Sequence, residues 1–484
     1  MNSAAMQVTR GVHVDGQWLD GMGSPLSLFD PVNGQQYATV STADATMVDA
    51  AVRAANTALP GWRNTPATER GRLLARMARL VEAAGPQLVQ LQMQCNGKPR
   101  SEAELDVADV VATFAYYAGC CQQAALFGQT VDLPDPNFTA SVQLLPVGVA
   151  GLIVPWNFPM VTSAWKLAPA LAAGCTVVLK PSELTPLAEI ALCELLQQAG
   201  LPEGVVNLVA GGGETGAALA SHPGIAKLSF TGSNKTGQAV MHSAAERMAR
   251  VSLELGGKSA LIVLDDADLP LAVELAVAGA YFNAGQMCSA TSRILVQQSL
   301  YPAFVDAMQQ AVQAIRVGGP DDADAGMGPL ISHAQQQRVL GFIHRGVAEG
   351  GRLLCDGRPQ ADMRPGCFVG PSLFVDLPGD SVLWREEIFG PVACIRSFRD
   401  DDEAIRLAND SEYGLVATVI GSASRSRQLA EQLQVGMVWL GTPQLIFPQT
   451  AWGGFKRSGI GRELGPWGLR SFQEVRHIVC NSAA

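Results

Sequence analysis

Two residues in this chain are of a type, and in a setting, to do chemistry. Cys288 stands in "FNAGQMCSA" (282–290), with a Gly-Gln pair before it and "SATSR" after the methionine-cysteine step. That flank breaks the apolar periodicity of the helical segment before it and predicts an accessible turn, where a thiolate can act as a nucleophile. The competing reading is a packed apolar side chain, the usual role of a lone cysteine. Glu254 lies in "VSLELGGK" (251–258). In an extended run Val251, Leu253 and Leu255 share one side, while Ser252 and Glu254 share the other. Glu254 is then either an exposed residue before a turn or a general base, free to swing beside two glycines.

Three further runs read as strands that end in distinctive polar text: "IVPWNFP", "VLKPSE" and "LSFTGSNKTG". Ligands gather at such ends in open α/β sheets. In the third, Gly232 allows close backbone approach and Ser233 takes the N-cap place of a following helix, whose free N–H groups suit a phosphate. Lys180 and Glu183, just past their strand, have the groups to hold two ribose hydroxyls. Each signal alone is equally an ordinary cap or turn; three in one series point to a nucleotide. The stretch "GGGETG" (211–216) only approximates a dinucleotide fingerprint. A phosphate loop is disfavoured because Ser252 occupies its first glycine place in "SLELGGKS". The absence of a G-x-S-x-G elbow argues against a serine hydrolase.

The elements that must position these residues alternate. Buried strands are predicted at 147–154, 176–180, 205–209 and 225–230, with helical spacing between them, as in "PLAEIALCELLQQAG" closed by Gly200. From about Ser259 the alternation resumes, with a long helix leading into Cys288 and a helix near 301–316. This predicts two doubly wound α/β halves with a boundary near "LELGG". Residues 127–148 read as a hairpin about a Pro/Asp/Asn turn that, with the tail "LRSFQEVRHIV" (469–479), could pair between subunits.

Composition bounds the rest. In 484 residues, 16% are charged, 48% are hydrophobic and the net charge is −10, with no basic stripe. Nucleic acid and anionic membrane are poor partners for such a surface, and acidic clusters such as "PDDADA" read as solvated turns. The longest apolar run, "VGVAGLIVPW", is about half a bilayer crossing, and the N-terminus lacks the pattern of a secretory leader. Ten scattered cysteines with no C-x-x-C pair predict reduced thiols, a cytoplasmic location and no metal site.

Taken in order, "PWNFP", "KPSE", "FTGS", "LELGGK", "GQMCSA" and "EEIFGP" (386–391) resemble the aldehyde dehydrogenase superfamily, from about residue 20 to residue 479. The run "WGGFKRSGIGRELG" (452–465) is similar to that of its betaine-aldehyde and aminoaldehyde branch. The resemblance implies an α/β fold: a Rossmann-type cofactor domain (1–126 and 149–253), an α/β catalytic domain (254–466) and a small β oligomerisation arm (127–148 and 467–484). It implies Cys288 as nucleophile, Glu254 as general base and Asn157 as oxyanion donor. Lys180 and Glu183 would hold the adenosine ribose, Gly232 and Ser233 the pyrophosphate, and Glu387 and Phe389 the nicotinamide ribose and ring, with Trp156 and Leu255 also against the cofactor. The charge of Glu183 would repel a 2′-phosphate, so NAD is expected, with NADP possible. A homodimer or homotetramer is implied, oxidising a small-molecule aldehyde through a thiohemiacetal and a thioester.

Which aldehyde stays open. Asp106 and Asp109 share a helix face, and a similar pair in aminoaldehyde enzymes receives an ammonium. Phe158, Trp165, Phe282 and Trp452 match an aromatic box suited to a cation. Ile446 and Phe447 add bulk that favours an apolar chain. A CoA-acylating enzyme and a non-catalytic relative are the alternatives; retention of Glu254, Cys288 and Asn157 speaks for hydrolysis.

Overall fold

A computed structural model describes residues 8–359 and 365–482. Residues 1–7, which fall in the leader reading and the first expected domain, and 483–484 of the tail lie outside the described residues.

Five predicted strands assemble into the centre of one sheet. Val149–Ile153 and Thr176–Lys180 are buried at every position, as a sheet covered on both faces requires. Across the sheet the parallel strands run Val206–Val209, Thr176–Lys180, Val149–Ile153, Lys227–Thr231 and Arg250–Glu254. Counted in chain order this is 3-2-1-4-5, the dinucleotide-fold order, which reverses between Val149–Ile153 and Lys227–Thr231. Both edges carry antiparallel additions: Val12–Val14 with Gln17–Leu19 on one side, and Gly459–Ile460, contributed from near the C-terminus, on the other.

The chain leaves this sheet at Glu254 and begins a second at Ala260–Val263, so the crossing falls on "LELGG". The second sheet runs Arg352–Cys355, Ser372–Val375, Val392–Phe398, Arg293–Gln297, Ala260–Val263, Val416–Ile420 and Met437–Leu440; all pairings but the first are parallel. Helices cover both sheets. Pro159–Ala173 is buried along its whole length, starts on a proline and stops at Gly174, whose φ of 94° is a left-handed cap. Arg100–Cys120 packs against it.

The expected hairpin forms from Gly128–Val131 and Phe138–Pro146. The tail strand Gln473–Asn481 pairs antiparallel with Phe138–Pro146 of its own chain, Gln473 opposite Pro146 and Asn481 opposite Phe138. Its first register partner is therefore internal, and the strand lies at an edge of the three-stranded sheet. Among the described residues no helix is long and apolar enough to cross a membrane.

Candidate active site

The helix before Cys288 stops sooner than its apolar run suggests. Leu269–Tyr281 is followed by a tight turn, Phe282–Gly285, in which Asn283 (φ 51°), Ala284 (φ 54°) and Gly285 (φ 70°) are all left-handed. For Asn283 and Ala284, which are not glycine, this costs of order 1–3 kcal/mol each, which the surroundings must offset. Here Glu102 Oε1 accepts the Asn283 N–H at 3.0 Å. The buried Gln286 donates through Nε2 to Asn283 O (3.1 Å) and accepts the Ile331 N–H (2.9 Å). A Cβ on Gly285 would stand 2.2 Å from Gly390 O, so no side chain fits there. The Gly-Gln pair is thus the turn's own fastening, and it delivers Cys288, half-buried, to the wall of a cavity of about 540 Å³. Burial first, then the Glu387 and Glu254 carboxylates, push the Cys288 thiol up to about 12.

Glu254 lines the same cavity and is 3% exposed, which overturns the exposed-strand reading. Neither of its carboxylate oxygens has a hydrogen-bond partner among the described residues. Burial and the neighbouring Glu463 hold it well above the usual carboxylate range, with Lys166 and Arg462 opposing. Glu463 is itself ion-paired with Lys166, the lone charge on the buried helix Pro159–Ala173.

Asn157 lies between the strand Val149–Ile153 and that helix. Its Nδ2 donates to Gln286 O at 2.9 Å, which leaves the second amide hydrogen for a ligand. Its carbonyl accepts from Lys98 Nζ (3.2 Å) and Asn283 Nδ2 (3.1 Å).

The cavity also reaches Gly232 and Ser233, beside the point where the strand order reverses, and the Gly232 N–H donates to Glu254 O at 3.0 Å. Ser233 is the N-cap of Asn234–Ala245 and accepts the Thr236 N–H at 3.3 Å. Trp156 meets Phe389 edge-on, with centroids 5.3 Å apart at 87°, and Leu255 lines the cavity nearby. Glu387 Oε1 accepts the Gly257 N–H at 3.0 Å, and burial raises its carboxyl to about 7. Lys180 and Glu183 stand beyond the cavity lining. Lys180 Nζ donates to Pro181 O (2.8 Å) and lies 3.6 Å from Glu183 Oε2, with the Glu183 side chain half-exposed. A helix N-terminus at the switch point, a glycine before it and a buried Lys180 beside a half-exposed Glu183 are a donor set that fits a dinucleotide.

The substrate end holds most of the expected residues. Phe158 and Phe282 stack at 6.5 Å and 12°; Trp165 and Trp452 tilt at 5.3 Å and 58°. Ile446 and Asp109 also line it. Two expectations need correction. Phe447 is 53% exposed and does not join the lining; Leu105 and Leu445, both exposed, form the apolar mouth instead. Asp106 borders the cavity, but its charge is already paired with Lys98 and its Oδ2 also accepts from Gln92 Nε2 (2.7 Å), so of the two only Asp109 lacks a cationic partner among the described residues.

Several residues escaped the sequence reading. Gln335 Nε2 donates to Phe389 O (2.7 Å) and Arg338 Nη2 to Glu387 O (2.8 Å), so the helix His333–Ala348 holds the "EEIFGP" segment by its backbone. Lys98, Glu102, Lys166 and Glu463 are buried charges, and charge without solvent is the signal that would have found them. Lys166 was the most legible, a single lysine in an otherwise apolar helix.

The sequence pattern of the Aldehyde dehydrogenase family matches residues 18–478. An aminoaldehyde dehydrogenase of Arabidopsis thaliana, described as chloroplastic, is 40% identical over 480 residues, covering 97% of this chain and 96% of that one. A chloroplastic betaine aldehyde dehydrogenase of Beta vulgaris is 39% identical, with the same coverage of 97% and 96%. Among solved structures, a betaine aldehyde dehydrogenase from Staphylococcus aureus in complex with NAD+ superposes with a TM-score of 0.96 at 36% identity, covering 98% of this chain and 95% of that one.

Proposed function

The chain belongs to the aldehyde dehydrogenase family, and on that premise we propose that Cys288, Glu254 and Asn157 carry out an NAD-dependent oxidation of an aldehyde to its carboxylic acid. The observation that carries the proposal is a single cavity lined by these three residues together with Gly232 and Ser233.

In this reading Cys288 gives its proton to solvent water and its sulfur attacks the aldehyde carbon, the carbonyl π pair moving onto the oxygen. The Asn157 amide and the Cys288 backbone N–H hold the resulting oxyanion. Gly232, Ser233, Lys180, Glu183, Glu387, Phe389, Trp156 and Leu255 would hold NAD, which would accept the hydride. Glu254 then takes a proton from water as that water attacks the thioester carbonyl, and the acid and the free Cys288 thiol separate. A buried, hydrogen-bond-free carboxyl beside the sulfur supports hydrolysis over transfer to CoA.

The favoured substrate is an amino or trimethylammonio aldehyde. Asp109 and the four aromatic rings offer an ammonium both a carboxylate and π faces, and the relatives named above act on aldehydes of that type by their names. Leu105, Leu445 and Ile446 support a second reading, an apolar aliphatic or aromatic aldehyde. The exposed Val475 and Val479 on the tail strand support a homodimer or homotetramer, checked by light scattering. All ten cysteines are free thiols, which supports a reducing compartment such as the cytoplasm.

The test is mass spectrometry of the protein with NAD and aldehyde. Glu254→Ala should carry an acyl adduct on Cys288, and Cys288→Ser should bind NAD yet form no NADH. Normal turnover by either variant, or a rate that requires CoA, would overturn the assignment.

A further inference from the structure

We infer that Lys98, together with Asn283, is a positioning residue that orients Asn157 by gripping its backbone carbonyl; the inference rests on the oxyanion role proposed for Asn157 above.

Lys98 has its side chain wholly buried just before the helix Arg100–Cys120. Its ammonium has three partners. It is ion-paired with Asp106, it donates to Asn157 O at 3.2 Å, and it sits 4.4 Å from the centroid of the Phe158 ring. Three donors on one nitrogen thus meet a carboxylate, a carbonyl and a π face. Asn283 Nδ2 reaches the same Asn157 carbonyl at 3.1 Å, so both oxygen lone pairs are taken.

Among the described residues that carbonyl has no other hydrogen-bond partner. Asn157 follows the strand Val149–Ile153 and precedes a helix whose N-cap, Phe158, makes no side-chain cap bond. With no ladder to fix this peptide, its tilt is set by the two side chains, and the tilt, together with the bond from Asn157 Nδ2 to Gln286 O, decides where the Asn157 amide points. Catalytic donors have to be held within a fraction of an ångström to be effective. The same ammonium underlies Phe158, which stacks on Phe282 of the turn leading to Cys288. Asn283 belongs to that turn, so one carbonyl ties the amide to the nucleophile's own loop.

The alternative is that Lys98 only neutralises Asp106 in the interior. A Lys98→Met/Asp106→Asn double variant separates the two, because it withdraws the ammonium without leaving a buried carboxylate unpaired. The readout is the rate of the first NADH burst with NAD and aldehyde, with NAD affinity measured alongside. A positioning role predicts a burst slowed about 10- to 100-fold, somewhat less than loss of an oxyanion donor itself, with NAD affinity unchanged. On an Asn157→Ala background the same two substitutions should change the burst by less than about twofold, since groups acting through one residue are not additive. A burst at the parental rate, or an equal slowing on both backgrounds, overturns the inference. A normal burst in Asn157→Ala alone overturns instead the oxyanion role on which it rests. Should the double variant not fold, Asn283→Ala withdraws the second donor with the ion pair intact, and the same pair of outcomes applies.

Discussion

The indole Nε1–H of Trp165 donates to Asp109 Oδ1 at 2.7 Å, and Thr113 Oγ1 adds a second bond to the same oxygen at 3.2 Å. Both donors converge on one atom, so Oδ2 is left for a ligand at the cavity wall. Burial raises this carboxyl to about 7, against the bonds from Trp165 and Thr113, which lower it. Asp109 therefore gains its charge near neutrality and attracts an ammonium more strongly as pH rises. The ratio of kcat/KM for an aminoaldehyde over an alkanal of equal length should climb between about pH 6 and pH 8. Asp109→Asn should flatten that profile and cost the aminoaldehyde about three- to tenfold, a partly exposed ion pair being worth roughly 1 kcal/mol. A flat ratio in the parent would remove Asp109 from substrate choice.

Cys288 should be a thiol at neutral pH when no cofactor is bound. Its alkylation by iodoacetamide is expected to accelerate steadily through the alkaline range without levelling off. Glu387 raises the thiol because two negative charges oppose each other, so Glu387→Gln should make the thiolate easier to form. Alkylation at mildly alkaline pH should then quicken several-fold. An unchanged profile would mean that Glu387 does not act on the sulfur.

Glu183 is half-exposed beside Lys180. If its charge keeps out a 2′-phosphate, Glu183→Gln should raise kcat/KM for NADP relative to NAD by about tenfold, the effect of removing a repulsion of about 1–2 kcal/mol. An unaltered ratio would place cofactor choice elsewhere.

Glu189 is fully buried. Its Oε1 accepts from Ser163 Oγ at 3.2 Å, and its Oε2 has no hydrogen-bond partner among the described residues. Burial raises it from 4.5 to about 8. The folded chain therefore keeps a proton that the unfolded chain releases across that interval, and stability must fall as pH rises through it. Glu189→Gln should lessen that fall and raise the urea midpoint at pH 8, by an effect on the order of 1–3 kcal/mol. A lower midpoint would show that the carboxyl is stabilising.

The central strands were legible because a sheet covered on both faces leaves an unbroken apolar run, as in "VGVAGLIV" and "TVVLK". Ser233 was legible as a cap, because capping depends on the local sequence and the bond to Thr236 lies within one turn. The role of Asp106 was not. Its spacing from Asp109 was plain, but the lysine that takes it lies on the far side of a helix start, and only folding brings the two together. The turn before Cys288 was hidden for a similar reason. Asn283 and Ala284 are held left-handed by Glu102 and by Gln286, and Glu102 is far away in the chain.

Gly285 packs backbone to backbone against Gly390, so closely that a Cβ on Gly285 would strike the Gly390 carbonyl. The loop that carries the sulfur and the loop expected beneath the nicotinamide are in effect one machined part. Anyone retuning this protein for a new aldehyde should leave that joint alone and vary the rim at Leu105 and Leu445, where a change of bulk alters the entrance without disturbing the alignment behind it.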